Sequence, residues 1–307
     1  MENKQILVSE VGPRDGLQSI DAILPTEIKK KWILAMVDAG IREIEVGSFV
    51  PASIIPQLAD TAEVVEYAIT IPNLTVAALV PNLRGAQNAI ESGAHKISIP
   101  FSTSETHSIR NVNRTHEQMF NEINKVSEFI KEQDENNTHL EVALATAFGC
   151  SIVGDIPEDL VIKSAERIME SGSNEIVLSD TTGYGDPARV KSLIRKLKSA
   201  IGDDKITGIH LHNTRGLGLA NAFAAIEEGI TTIDSSISGI GGCPFAPGAS
   251  GNIVTEDLVF MLDAMGYETG INLDKLFSIR EILAKALPNE PLYGYTVDAG
   301  LPVGYKH

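Results

Sequence analysis

The chain alternates short apolar runs with helical patterns, and this alternation limits its possible folds more than any other feature. Apolar runs occur eight times in its 307 residues, at 6–11, 43–48, 74–80, 96–101, 140–148, 175–180, 206–213 and 232–238. Segments with apolar residues at three- and four-residue spacing lie between them, as amphipathic helices do, for example at 26–39, 82–92, 158–171 and 219–228. Eight such units favour a closed (β/α)8 barrel, the TIM barrel; an open doubly wound sheet is the alternative.

Glycines mark the ends of four predicted helices. A helix often ends at a residue in the left-handed conformation, which glycine adopts without steric cost. We therefore predict helix ends just before Gly40, Gly93, Gly172 and Gly229.

The prediction for the whole chain, residues 1–307, is one catalytic barrel domain. The barrel is expected at about 5–252 and a helical extension at about 253–307. Helical patterns at 255–265 and 273–287 precede a tail with three prolines, which predicts irregular structure there. We interpret the extension as a cap or an oligomer contact.

Composition excludes several classes of partner. The formal net charge of −16 disfavours nucleic acid and anionic membranes, and no apolar stretch reaches membrane-spanning length. The first residues lack the basic flank and apolar run of a secretory signal. Cys150 and Cys243 are the two cysteines, too few for a disulfide framework. We expect a cytoplasmic protein, with Cys150 filling space at the end of the fifth strand.

Polar residues recur where the predicted strands end. In a (β/α)8 barrel the catalytic groups occupy the carboxyl ends of the strands and the loops that follow. The residues found at such positions are Asp15, Glu45, Asp180, His210, His212 and Asn252. We predict that they form a site at one end of the barrel.

The spacing of His210 and His212 permits a shared metal ion. Side chains two apart on a strand point the same way, so the two imidazoles can meet one cation. By itself the pair is weak support, because hydrogen-bonded histidines at a strand end are the commoner case. A His-x-His amidohydrolase is a further alternative, although that pair usually lies on the first barrel strand instead of the seventh.

Asp15 and Asn252 could complete the coordination. With the two histidines they offer a mixed oxygen and nitrogen set that suits Mg²⁺ or Mn²⁺, whereas structural zinc prefers thiolates. Considered singly, Asp15 could instead cap its own turn and Asn252 could be a left-handed turn residue.

Two long motifs resemble one enzyme family. Residues 10–18 read EVGPRDGLQ, residues 239–252 read GIGGCPFAPGASGN, and the similarity continues through TEDLV at 255–259. The chain resembles the 3-hydroxy-3-methylglutaryl-CoA (HMG-CoA) lyases over nearly its whole length. The resemblance implies a metal-dependent carbon–carbon lyase acting on an acyl-CoA and assembled as a homodimer or tetramer.

The resemblance also implies residue roles. Asp15, His210, His212 and Asn252 match the family's metal ligands, Arg14 its catalytic arginine and Cys243 its catalytic cysteine. Glu45 and Asp180 match acidic active-site residues, and Arg14 and Gln18 are implied to bind substrate. For Glu45 and Asp180, a salt-bridge network at the barrel end is an equal alternative. The general base is left open among Asp15, His210, Glu45 and Asp180.

Three loops depart from the lyase pattern: 99–104, 145–150 and 213–215. Such loops face the substrate in a barrel, so the reaction type is better supported than the acyl group. Citramalyl-CoA or a longer 3-hydroxyglutaryl-CoA is an alternative substrate. An acetyl-CoA-condensing synthase and a non-catalytic metal-binding relative are the other possibilities. The synthase is the less expected of the two, because such enzymes usually add a long carboxy-terminal region, which we do not expect here. His107, Arg110 and Arg215 could meet a carboxylate or the CoA phosphates, or lie on the solvated surface.

Overall fold

The computed structural model describes residues 5–133, 138–241 and 251–305. Its eight parallel strands pair in sequence order, and the first pairs with the last to close the barrel. The strands are β1 (Leu7–Glu10), β2 (Glu43–Ser48), β3 (Thr75–Leu79), β4 (Lys96–Ser102), β5 (His139–Ala145), β6 (Glu175–Asp180), β7 (Gly208–Leu211) and β8 (Thr232–Ser235). The predicted (β/α)8 barrel is thus confirmed.

Several strands end earlier than their apolar runs predict. β5 ends at Ala145 although Ala147 and Phe148 are fully buried, and β8 ends at Ser235 before a 3-10 turn at Ile237–Gly239. Apolar side chains beyond the last ladder bond are buried by the loops that cover the barrel end. Burial therefore extends the apolar run past the strand itself.

The helices surround the barrel. They are α1 (Thr26–Ala39), α2 (Thr61–Ala68), α3 (Leu83–Glu91), α4 (Glu105–Val112), α5 (His116–Gln133), α6 (Glu158–Glu170), α7 (Pro187–Ile201) and α8 (Gly218–Glu227). The predicted left-handed residues follow four of them, with φ between 79° and 112°: Gly40, Gly93, Gly172 and Gly229. No helix in the described ranges is both long and apolar enough to cross a membrane.

Three further helices follow the barrel: α9 (Thr255–Ala264), α10 (Leu273–Ala286) and α11 (Tyr295–Ala299). The first two match the predicted patterns, and α10 packs on α1. The tail was expected to be wholly irregular, and α11 corrects this. Asp257 on α9 explains the extra helix, because its carboxylate accepts the backbone N–H groups of Tyr295 and Thr296 at 3.1 and 2.7 Å.

Alternation along the strands separates an apolar layer from a polar interior. Residues facing the helices are apolar and fully buried, among them Ile44, Val76, Ile97, Val142, Leu178 and Ile209. Alternate residues line a cavity inside the barrel, among them Glu43, Glu45, Lys96, Ser98, Glu141, His210 and Asp234. The apolar core that stabilises the fold therefore lies between the barrel and the helices. The interior of the barrel can accommodate polar and charged side chains that bind a ligand.

Lys96 is the centre of a buried ion cluster in this interior. Its Nζ lies 3.3 Å from Glu43 Oε1, 2.5 Å from Glu141 Oε2 and 3.2 Å from Glu175 Oε1. Burial and neighbouring acids raise the pKa of Glu141 to about 7 despite the opposing effect of Lys96. One ammonium group thus compensates three carboxylates in a region with little solvent.

Stability is expected to fall as pH rises from about 5 to 9. Glu256 on α9 is fully buried, accepts the backbone N–H of Ser238 at 3.0 Å, and burial raises its pKa to about 7. Because the folded pKa lies above the unfolded value, its stabilising contribution is complete below about pH 4.5 and is lost as pH rises through about 7. Urea unfolding in chelator at pH 6 and pH 9 should show a smaller loss for Glu256→Gln than for the wild type. Equal losses would contradict the assignment.

Candidate metal centre and active site

Asp15 reaches the barrel end on a tight turn directly after β1. Residues Gly12–Gly16 form a π-helical turn, with the Asp15 N–H bonded to Val11 O at 2.7 Å. A Cβ at Gly12 would lie 2.5 Å from a Glu10 carboxylate oxygen, so this turn requires glycine. The sequence predicted Asp15 after the strand, and the turn points its buried carboxylate into the cavity.

The two histidines meet at the end of β7. His210 belongs to the strand and His212 lies just beyond it, and their Nε2 atoms are 3.1 Å apart. His212 Nε2 is 3.8 Å from Asp15 Oδ2. The predicted convergence of β1 and β7 side chains is therefore present.

Asp234 orients His210 from the neighbouring strand. Its Oδ2 accepts a hydrogen bond from His210 Nδ1 at 3.1 Å, which leaves the His210 Nε2 lone pair directed toward His212. A carboxylate in this position fixes the tautomer of a metal-binding histidine. Sequence reasoning missed Asp234, although β7 and β8 were both predicted and His210 pairs in register with Asp234.

Asn252 joins the site from a segment paired with the end of β7. It forms a bridge with His212, and its Nδ2 donates to Asp15 Oδ2 at 2.8 Å. Its Oδ1 is buried and has no hydrogen-bond partner among the described residues. An amide oxygen without a donor is costly in a buried position, so this atom is suited to a cation.

These side chains fit a divalent cation. Ligand atoms of Asp15, His210 and His212 all lie within 4.8 Å of one another, and all three residues are buried. The Asn252 oxygen supplies a fourth potential ligand. One carboxylate, two imidazoles and an amide oxygen match the preference of Mg²⁺ or Mn²⁺ better than that of structural zinc.

The electrostatics favour the metal-binding forms of Asp15 and His212, whereas for His210 burial opposes protonation but Asp234 and Asp15 raise its pKa. Burial opposes ionisation of Asp15, but Arg14 and the two histidines hold its pKa below the usual value. Burial and the adjacent His210 lower the pKa of His212 to about 4. A carboxylate and a neutral imidazole are the forms that coordinate metals.

Arg14 lies beside the metal ligands. Its Nη1 donates to Asp15 Oδ1 at 2.6 Å and its Nε pairs with Glu45 Oε2. Gln18 Nε2 donates to the same Asp15 oxygen at 2.7 Å. Burial raises the pKa of Glu45, whose Oε1 has no hydrogen-bond partner in the described part of the chain. Four predicted residues therefore converge: Arg14, Asp15, Gln18 and Glu45.

Asp180 is not brought into this group. Its two carboxylate oxygens accept the backbone N–H groups of Tyr184 and Gly185, each at 2.9 Å. Ser179 and Thr181 line the cavity, and Asp180 points to the other face of β6. Asp180 thus shapes the turn after β6 and does not contact the ligand cluster.

The structure describes one of the two cysteines, Cys150. Cys243, predicted as the catalytic cysteine, lies outside the described residues. Cys150 is fully buried after β5, and its Sγ accepts the N–H of Ile152 at 3.4 Å. Its position agrees with the space-filling role predicted for it.

The cavity above the ligand cluster has a volume of about 660 Å³. One wall is apolar and includes Val50, Ile54 and Leu79. On the other side, α4 contributes His107 and Arg110, and Arg114 follows the helix. Arg215 instead donates to the carbonyls of Thr182 and Gly183 and stacks on Tyr184, so its role is in holding the turn after β6.

Comparisons with known proteins agree over most of the chain. The sequence model of the family described as HMGL-like matches residues 5–283. Hydroxymethylglutaryl-CoA lyase YngG of Bacillus subtilis (strain 168) is 39% identical over 94% of this chain and 97% of its own length. The cytoplasmic 3-hydroxy-3-methylglutaryl-CoA lyase of Rattus norvegicus is 38% identical, covering 92% of this chain and 81% of that protein. The solved structure of an HMG-CoA lyase from Acinetobacter baumannii, in complex with coenzyme A and 3-methylmalate, superposes with a TM-score of 0.92 at 37% identity, covering 100% of this chain and 99% of that one.

Proposed function

The chain belongs to the HMGL-like family, and from this premise we propose that it is a carbon–carbon lyase that cleaves 3-hydroxy-3-methylglutaryl-CoA to acetyl-CoA and acetoacetate. The observation that carries the proposal is the convergence of Asp15, His210 and His212, with Asn252 and Arg14 beside them, under one deep cavity. The relatives named above support the substrate, and the donor set supports a divalent cation.

The reaction breaks the bond between C2 and C3 of the acyl chain. The C3 hydroxyl loses its proton and becomes the ketone of acetoacetate, while the bonding electrons form the enolate of acetyl-CoA, which is then protonated at carbon. A bound Mg²⁺ or Mn²⁺ would lower the pKa of a coordinated hydroxyl and fix its orientation. The ion itself, Mg²⁺ or Mn²⁺, is part of the proposal.

Arg14 is proposed to stabilise the negative charge that develops on the thioester oxygen. Its guanidinium is permanently cationic and is held by Glu45 and Asp15, so its orientation is set before substrate binds. Glu45 has a second oxygen that can accept a hydrogen bond or a proton from the substrate. We assign Asp180 to the loop that frames the site, since backbone amides occupy both its oxygens.

Cys243 is proposed as the acid that protonates the enolate carbon, on the strength of its motif alone. A thiol is a better proton donor than a serine hydroxyl. A cytoplasmic location and a homo-oligomeric state likewise remain predictions.

A panel of CoA thioesters tests the function directly. Purified protein with Mn²⁺ is expected to release acetyl-CoA, measured by mass, faster from HMG-CoA than from citramalyl-CoA or a longer 3-hydroxyglutaryl-CoA. Incubation with acetyl-CoA and 2-oxo acids, monitored for free thiol, separates a lyase from a synthase. Acetyl-CoA release from none of the thioesters would contradict the proposal.

Arg110 is expected to contribute to binding of the CoA portion. It is exposed on α4 at the cavity mouth, where it can meet a phosphate group. Because an exposed charge contact contributes up to about 1 kcal/mol, Arg110→Gln should raise KM for the CoA thioester by about fivefold and leave kcat unchanged.

The matching pantetheine thioester, which lacks the nucleotide phosphates, provides the control substrate. Its KM should be the same for Arg110→Gln and the wild type. Arg167→Gln, an equal charge change on α6, should affect neither substrate. A similar KM increase for both thioesters would exclude phosphate recognition by Arg110.

A further inference from the structure

Glu10 is a buried carboxylate at the end of β1 that does not line the cavity in the described structure. It is 0% exposed and accepts hydrogen bonds from three separate segments. Its Oε1 accepts the N–H of Gly12 at 3.0 Å, and Ile237 N lies 3.0 and 3.1 Å from its two oxygens. The Thr255 hydroxyl donates to Oε2 at 2.7 Å.

Two of these three segments carry candidate metal ligands. Gly12 begins the π-helical turn that holds Asp15, and Thr255 begins α9 three residues after Asn252. The two candidate ligands meet through a hydrogen bond of 2.8 Å although 237 positions separate them in the chain. The Glu10 carboxylate therefore holds both the segment that carries Asp15 and the segment that carries Asn252.

The local sequence is adapted to this anchor. A Cβ at Gly12 would be 2.5 Å from Glu10 Oε1 and 2.9 Å from Ser236 Oγ, so only glycine allows the turn to approach the carboxylate. Ser235 Oγ lies 2.8 Å from Thr255 Oγ1 and extends the network to the end of β8. Burying a carboxylate is unfavourable unless its hydrogen bonds are made, and here each oxygen has a donor.

We propose that Glu10 is a positioning residue of the metal centre, setting the separation of the Asp15 carboxylate and the Asn252 amide by holding the turn after β1 and the start of α9. The inference rests on the metal centre of the proposed function. Glu10 acts through these backbone segments and does not touch the cation or the substrate.

Mn²⁺ affinity of the full chain, measured by the electron paramagnetic resonance signal of free Mn²⁺, tests this role without an activity assay. Glu10→Met has a similar volume but accepts no hydrogen bond, and we expect its affinity to fall about tenfold, in the range for residues that orient metal ligands. Glu10→Gln should stay within about threefold of the wild type, because its oxygen still accepts from Gly12 and Ile237 and its amide donates to Thr255.

Glu175→Met is the matched control for loss of stability. It removes a partly buried carboxylate whose partners, His139, Lys96 and Thr207, lie at the opposite end of the barrel, and it should not change Mn²⁺ affinity. If Glu10→Met does not fold, Thr255→Val removes one donor and should weaken binding about threefold. Wild-type affinity in folded Glu10→Met, or in Thr255→Val, would overturn the inference. A wild-type chain that binds no Mn²⁺ would instead overturn the proposed function.

Discussion

Replacing His212 by alanine is expected to weaken Mn²⁺ binding by at least about a hundredfold and to reduce turnover in proportion. Its Nε2 lies 3.1 Å from His210 Nε2 and 3.8 Å from Asp15 Oδ2, so it completes the ligand cluster. Changes in residues that only orient a ligand already cost about 10- to 100-fold in affinity, and loss of a ligand should reach the upper end of that range or exceed it. Isothermal titration with Mn²⁺ measures the effect.

His139→Ala is the control for this experiment. His139 begins β5 at the other end of the barrel, and its side chain is 42% exposed. It should bind Mn²⁺ as the wild type does, and circular dichroism should show both variants folded. Unchanged affinity in His212→Ala would remove the residue from the metal centre and leave the pair as hydrogen-bonded histidines.

Replacing Lys96 by methionine is expected to cost about 3–5 kcal/mol of the free energy of unfolding near neutral pH. The substitution preserves much of the side-chain volume but leaves Glu43, Glu141 and Glu175 without the ammonium group that they share. The loss should be smaller at pH 5, because the uncompensated carboxylates can then bind protons. Urea unfolding at pH 5 and pH 8 measures both values.

Lys285→Met on α10 is the matched control, since its ion pair with Glu281 is 3.6 Å long and exposed. Exposed pairs contribute about 0–1 kcal/mol, so this variant should differ little from the wild type. A loss of under about 1 kcal/mol for Lys96→Met would show that the interior cluster is hydrated enough to need no compensation.

Side-chain alternation along a predicted strand also predicts which residues face the barrel interior. In β6, Ile176 and Leu178 face the helices, so Asp180 shares their face and points away from the cavity. The same parity places Glu45 inside the barrel, because it alternates with the outward-facing Ile44 and Val46. The position of Asp180 after a strand was predicted, whereas its direction could have been deduced from the parity of its neighbours.

The contact between Asp234 and His210 could not be predicted from the sequence. The strand that carries Asp234 was predicted, but β7 and β8 are adjacent in register only once the barrel has formed, and this adjacency aligns Asp234 with His210. The ion cluster around Lys96 also depends on register, because it gathers residues from four strands: β2, β4, β5 and β6.

The sequence alone determined the barrel and the positions of its strands. The spacing of apolar residues, two in a strand and about 3.6 in a helix, is a local property that can be read from each short segment. The sequence also predicted Asp15, His210, His212 and Asn252 as a set. Only the tertiary structure decided the distances within that set and the anchoring by Glu10. Those properties depend on closure of β1 onto β8 and on the π-helical turn at Gly12–Gly16, where hydrogen bonds between residues more than 200 positions apart select a conformation that no local pattern specifies.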